Sequence, residues 1–427
     1  MHNVHTRNTV RYYILIVAVL AFLFFSNDFG LTDVQKTAIV MSVGVDRQED
    51  EFILTSQIAV PQASKQGDAT QTVQLVSRGK TVAEAFEQIN AKTGWYPKLV
   101  FCKLIILGGK TAEENVFDAL DYFLLDEYLS DGCLVATCDG LAKDLLNTAA
   151  LVDPSSSVAM TKVLSSHAQR VGTVLPTTLR EFAVGYFSES KSGYLPVLKT
   201  EPQQEKIGSE GGTGSNESQN GQSGGQSGSS SGDSSGGSSG GSAQSGSQGS
   251  SQGGQNNDKP IFSAQETALF VAGKRVGTLT AEETFAYNAV KYQLRLASYS
   301  VNRKDGVCTL SVKQNSPKRK LKVGKDGSAI FQIDLSLSAG LLDNSYSLPL
   351  DEMVDGGDVP GGVFAAAQKK LAGEIKTLFE KTKAVGCDLF GVRELLVKYE
   401  NRNLHRFQDT LLSNTVLSVN VSFKNIR

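Results

Sequence analysis

The chain has 427 residues, enough for two or three domains, and its 42 basic and 44 acidic side chains leave a net charge of −2. So even a balance implies no basic patch, which argues against nucleic acid as a partner, and no acidic tail is present. Apolar residues make up 40%, a low figure with a local cause: a long Gly/Ser/Gln tract dilutes an otherwise ordinary mixture.

Tyr12 to Phe25 (YYILIVAVLAFLFF) is an unbroken run of 14 apolar residues. Arg7 and Arg11 precede it and Asp28 and Asp33 follow, so the remainder of the chain is expected on the non-cytoplasmic side. The run is short for a full span, but no small-x-small cleavage site follows it. Residues 1–30 are therefore read as an uncleaved signal-anchor, with membrane lipid as its partner. Arg11 snorkelling and Phe29 at the interface would lengthen the span.

Residues 31–150 read as an N-terminal α/β domain. Ala38–Asp46 and Phe52–Val60 alternate like strands around a turn, and Thr72–Ser77 is a third. Thr81–Lys92 places Val82, Ala85, Phe86 and Ile89 at helical spacing, opened by a Thr81/Glu84 capping box. Val100–Leu107 is expected as a strand, Thr111–Leu125 as one helix with a second Thr/Glu box, Gly132–Cys138 as a strand and Leu141–Leu146 as a helix. Residues 151–207 form a small, mainly helical second domain interrupted near Pro176. Residues 208–260 form a disordered Gly/Ser/Gln linker, whose composition cannot bury apolar surface and whose r.m.s. span is on the order of 40 Å.

Residues 261–427 read as a C-terminal α+β domain. Strands are expected at Thr267–Ala272, Val307–Val312, Lys320–Val323 and Ala329–Ser338, as in an antiparallel sheet. Helices are expected at Thr280–Lys291, Val363–Lys383, Gly391–Glu400 and Leu404–Leu412, and Val416–Phe423 closes the chain as a strand. The fold class is thus α/β (α+β), multi-domain, with mixed sheets and packed helices behind a membrane segment.

No catalytic, cofactor-binding or metal-binding residue is expected from the sequence. Gly79–Lys80–Thr81 and Gly109–Lys110–Thr111 lack the glycine a phosphate loop needs five positions earlier, where Gln74 and Leu104 stand; each reads as a turn with an N-cap Thr. His2, His5, His167 and His405 have no ligands at metal spacing. Asp351, Glu352, Asp355 and Asp358 form a solvated acidic loop whose spacing does not match a calcium loop. Trp95 and Tyr96 beside Pro97 are a contact surface or, more simply, packing. Cys102, Cys133, Cys138, Cys308 and Cys387 form no framework and read as buried free thiols. Cys133 and Cys138 point to opposite faces of one strand.

The order of several short motifs carries more. They are Val43–Gly44–Val45–Asp46, then Gly79–Lys80–Thr81 with Glu84–Ala85, then Asp121–Tyr122–Phe123–Leu124–Leu125–Asp126. Pro176, Thr178–Leu179 and Phe182 follow, then Ala268 through Thr284, then Asp388–Leu389–Phe390–Gly391–Val392–Arg393–Glu394. In this order, over most of the chain, they resemble the Ger(x)C family of spore germination proteins. The resemblance implies a non-enzymatic C subunit of a nutrient germinant receptor, with three α/β-type domains on the outer face of the spore inner membrane. Its partners would be the A and B membrane subunits, one of them transporter-like. No catalytic residues are implied, and Gly44, Asp46, Gly277 and Gly391 are read as turn and packing positions. Family members usually carry a lipidated Cys after the apolar run; Ser26–Asn27–Asp28 stands there, so a protein anchor replaces the lipid. The long tract implies looser coupling of the two halves. The competing reading is an exported envelope protein that captures a small ligand or a cell-wall component unaided.

Overall fold

The computed structural model describes residues 11–22, 37–60, 71–202, 259–303, 306–324, 328–344, 359–399 and 410–426. The Gly/Ser/Gln tract, the acidic loop at 351–358, the anchor beyond residue 22, His2, His5, His405 and residues 404–409 of the expected helix lie outside the described residues.

In chain order the elements are α1 (residues 11–22), β1 (Thr37–Gln48), β2 (Glu51–Val60), β3 (Gln71–Gly79), α2 (Val82–Thr93), β4 (Tyr96–Lys98) and β5 (Leu104–Leu107). Then come α3 (Gly109–Glu113), α4 (Phe117–Leu125), β6 (Leu134–Cys138), α5 (Ala142–Leu146), α6 (Ser156–Val163), α7 (Ser166–Val171), β7 (Thr177–Thr178), α8 (Leu179–Phe187) and β8 (Ser192–Glu201). Beyond the tract follow β9 (Ile261–Val271), β10 (Lys274–Leu279), α9 (Ala281–Lys291), β11 (Ala297–Arg303), β12 (Gly306–Val323) and β13 (Ala329–Asn344). The chain ends with α10 (Gly361–Ala384), α11 (Val392–Tyr399), α12 (Leu411–Asn414) and β14 (Thr415–Asn425).

Two sheets organise these elements. The larger has the order β10-β9-β8-β6-β5-β1-β2-β3, with β4 on β1 and β7 on β6. Its centre is parallel (β1, β5, β6, β8) and its flanks are antiparallel. Both faces are covered, so β5 is a continuous apolar run, LIIL, rather than an alternation. Ile105 and Leu107 join one core with Val43, Val45 and Phe86; Leu104 and Ile106 join the other with Ala142 and Leu146. Each fully buried aliphatic chain contributes about 1.5–3 kcal/mol. Cys133, just before β6, and Cys138, at its end, fall in these two different cores.

Composition placed a boundary at residue 260, but that position lies between two hydrogen-bonded strands. β8, which enters the tract, and β9, which leaves it, are antiparallel neighbours from Ser192↔Val271 to Glu201↔Ile261. The tract therefore joins two neighbouring strands of one sheet. β8 itself, expected within a small helical region, is an interior strand of the large sheet.

The smaller sheet has the order β11-β12-β13-β14. It is not wholly antiparallel: β13 and β14 run parallel, from Ala329↔Thr415 to Ala339↔Asn425. Val307–Val312 and Lys320–Val323, expected as two strands, are one strand of 18 residues, with Pro317 opposite Leu335. α10 lies on this sheet through Ala367, Leu371, Ile375, Leu378 and Phe379, spaced at helical period and all buried against residues such as Phe331 and Ile333. The same core takes in Leu175 from before the tract.

Two further expectations changed locally. Thr111–Leu125 is not one helix: α3 and α4 are separated near Val116, whose N–H donates to Gly273 O at 2.9 Å. Thr111 caps nothing; it is buried inside α3, and its Oγ1 donates to Val45 O at 3.1 Å. Val100–Leu107 is strand only from Leu104.

Candidate functional site

The sequence motifs resolve into helix starts. Thr81 caps α2, accepting from Glu84 N–H at 3.1 Å. Thr178 and Glu181 form a capping box at α8, and Thr280 and Glu283 form another at α9. Asp46, 2% exposed, caps α5 from a distant strand: Ala142 N–H donates to its Oδ1 at 2.7 Å and Lys143 N–H to its Oδ2 at 3.1 Å. Burial pushes this carboxyl above the usual range while the two N–H bonds pull it down. Gly44 lets α5 sit close on β1, since a Cβ there would stand 2.9 Å from Ala142 Cβ. Asp388 repeats the device at α11, taking the N–H groups of Val392 and Arg393 at 2.8 Å each, with Gly391 at φ +69° making the turn. Gly277 adjoins a bulge in β10. Gly44 and Asp46, like Gly391, thus sit at packing, capping and turn positions.

Both Gly-Lys-Thr triplets lie at helix starts. Gly109 packs directly on the next loop: a Cβ there would stand 2.5 Å from Asp139 O. His167 belongs to α7. Among the described residues no group of three or more His, Cys, Asp or Glu is placed to hold a metal ion. All five cysteines are buried, and burial pushes Cys138 and Cys387 up to about 12.

A cleft of about 470 Å³ lies between α8 and β8 on one side and α9 and the α11 turn on the other. Its two walls come from opposite sides of the tract. Tyr194 and Tyr292 hydrogen-bond through their hydroxyls across it. Tyr287 is fully buried behind them and donates to Leu389 O at 2.9 Å. Lys291 lines the same cleft, and its ammonium makes no hydrogen bond or ion pair with any described residue. Burial pushes its pKa down, and Arg319 pushes it the same way; Glu394, Asp388 and Glu181 oppose them. Of these acids, Asp388 is committed to α11 and Glu181 to the Thr178 N–H at 3.0 Å. The arrangement presents an ammonium and two phenols to a small ligand. Sequence reasoning missed Tyr194, Lys291 and Tyr292, because no motif spacing links a strand before the tract to a helix after it.

Residues 31–200 match the family model described as the spore germination protein N-terminal domain. Residues 265–427 match the model described as spore germination B3/GerAC like, C-terminal. Among solved structures, the crystal structure of the GerBC protein is similar at 16% identity with a TM-score of 0.49, covering 90% of this chain and 97% of that one. No curated protein matches. With both family models matched in order on either side of the tract, the chain belongs to the Ger(x)C family of spore germination proteins.

Proposed function

We propose that this chain is the non-enzymatic C subunit of a nutrient germinant receptor, held on the outer face of the spore inner membrane and coupling nutrient sensing by the A and B membrane subunits to germination. The observation that carries the reading is the ordered match of both family models, over 31–200 and 265–427. The polar motif residues are consistent with it, since Asp46 and Asp388 accept backbone N–H groups at helix starts.

Anchoring is supported by α1, whose side chains, Ile14, Leu15, Leu20 and Phe22 among them, are exposed. An isolated helix that is apolar all round needs lipid. Its described part is about 18 Å long, less than a ~30 Å hydrocarbon core. Among the described residues no helix is long and apolar enough to cross a membrane. The proposed span therefore depends on the flanking apolar residues up to Phe25.

The test is affinity capture of the tagged full chain from detergent-solubilised membranes of sporulating cells. Recovery of a transporter-like subunit is expected, with its loss when residues 11–25 are deleted. Capture without any integral membrane subunit contradicts the reading. The cleft favours a second reading, an envelope binding protein, because Lys291, whose ammonium has no hydrogen bond or ion pair with any described residue, lines it together with Tyr194 and Tyr292. Thermal stabilisation of the full chain by simple monocarboxylates from acetate to benzoate, lost in Lys291→Met, would support it.

A further inference from the structure

β1, β5 and β6 run parallel, so they begin at one end of the large sheet, and the segments leading into them gather there. β4 extends that end: Tyr96, Pro97 and Lys98 pair with Thr37, Ala38 and Ile39, the first strand residues after the apolar N-terminal segment. Five large apolar side chains stand in water here, Tyr96, Val100, Phe101, Leu125 and Tyr128, from 46% exposed at Val100 to 74% at Leu125. Val100 and Phe101 lie on a turn closed by Cys102 N–H to Leu99 O at 2.8 Å. Tyr128 lies on a turn held by Asp126, which accepts the N–H groups of Tyr128 and Leu129 at 2.9 Å each. The Lys98 ammonium sits 4.7 Å over the Tyr128 ring and ties the two turns together. Singly exposed apolar residues need no explanation, but five gathered at one end of a sheet, three of them on turns fixed by hydrogen bonds, mark a contact surface.

We propose that this end of the sheet is a second membrane contact, with its rings in the headgroup–acyl boundary of the bilayer that holds the N-terminal segment. The inference rests on the anchoring reading above. The occupant follows from where the chain enters: residues 23–36 join α1 to Thr37 and reach at most about 50 Å fully extended. The entry end of the sheet is thus the end closest to the anchor along the chain. Tyrosine and phenylalanine beside a lysine are what a membrane interface accommodates. The nearby charges are mixed, Lys98 and Lys103 against Asp126, Glu127 and Asp131, so the contact depends on apolar insertion more than on anionic lipid.

Trp95 is the only tryptophan of the chain; it precedes Tyr96 directly and packs, half-buried, against the core that includes Leu99 and Leu129. Its fluorescence therefore reports on this end alone. The full chain is reconstituted in phosphatidylcholine vesicles with and without brominated acyl chains. Trp95 emission is expected to fall with the brominated lipid, and the quenching to be lost in Val100→Asp/Phe101→Asp/Tyr128→Asp, with Phe101→Asp alone giving a partial loss. Both variants are expected to float with the vesicles and to keep the parent's melting temperature. Flotation with unquenched Trp95 overturns the proposal and leaves the surface to a partner subunit or a second copy. Quenching unchanged in the triple variant overturns it too. Failure of the parent to float is a different result: it removes the anchor itself and this inference with it.

Discussion

The backbone N–H of Asp388 donates to Ser192 Oγ at 2.9 Å, joining the last family motif to the strand that enters the Gly/Ser/Gln tract. The Asp388 carboxylate, 5% exposed, accepts two further N–H groups from α11. Asp388→Ala leaves both donors buried and is expected to cost about 3 kcal/mol. Asp388→Asn keeps one acceptor and costs less. Gly391→Ala, at φ +69°, costs about 1–2 kcal/mol. Urea unfolding measures all three, and equal losses for Ala and Asn at position 388 would contradict the capping role.

Gly108 and Asp46 form one unit. A Cβ at position 108 would lie 2.1 Å from Asp46 Oδ1, so Gly108→Ala must displace the carboxylate from α5. A loss of about 2–3 kcal/mol is expected, comparable to Asp46→Ala. The double variant is expected to lose clearly less than the sum, because the second change removes a contact already broken. Additive losses in a double-mutant cycle would refute the coupling.

Shortening the tract tests its place in a hairpin. Replacing residues 203–258 by a turn of about seven residues removes roughly three doublings of loop length, worth about 2 kcal/mol in favour of the folded state. The melting temperature is expected to hold or rise. A tether between independently moving halves would instead be strained by the deletion, and a fall in melting temperature would indicate that geometry.

Lys291 provides a pH test. Its folded pKa lies below the ordinary 10.5, so the folded state binds fewer protons than the unfolded chain between those two values. Stability therefore rises with pH across that window, and the burial penalty is fully present below it. Lys291→Met is expected to melt higher than the parent at pH 7, with the difference closing by pH 10.5. Parallel melting curves across that range would show that the ammonium is not penalised in the cleft.

Thiol labelling checks the cysteines. Burial holds Cys138 and Cys387 up to about 12, and all five are buried. Iodoacetamide at pH 7.5 is expected to leave the native chain unmodified and to alkylate five sites in denaturant. Rapid native labelling would indicate local opening of a core.

Much of the local structure was legible because its causes are local. Thr81, Thr178 and Thr280 announce α2, α8 and α9 through contacts three residues away. β1 and β2 alternate across a short turn, and α10 shows its buried stripe in its own spacing. The break between α3 and α4 was hidden because the apolar period continues through it, and the bond that fixes it comes from Gly273. β8 carries Pro196 and borders the tract, so nothing near it declares a strand; pairing with β6 and β9 does.

Capping, periodicity and turn chemistry act over a few residues, so the order of residues alone was enough to specify most helices and strands, the apolar N-terminal run and the family. Strand order and the cleft depend on contacts between residues far apart in the chain: Tyr194 meets Tyr292, and Ser192 meets Asp388, across the whole tract. Such pairs leave no period in the sequence, because their energy is gained only after the intervening chain has been closed into a loop.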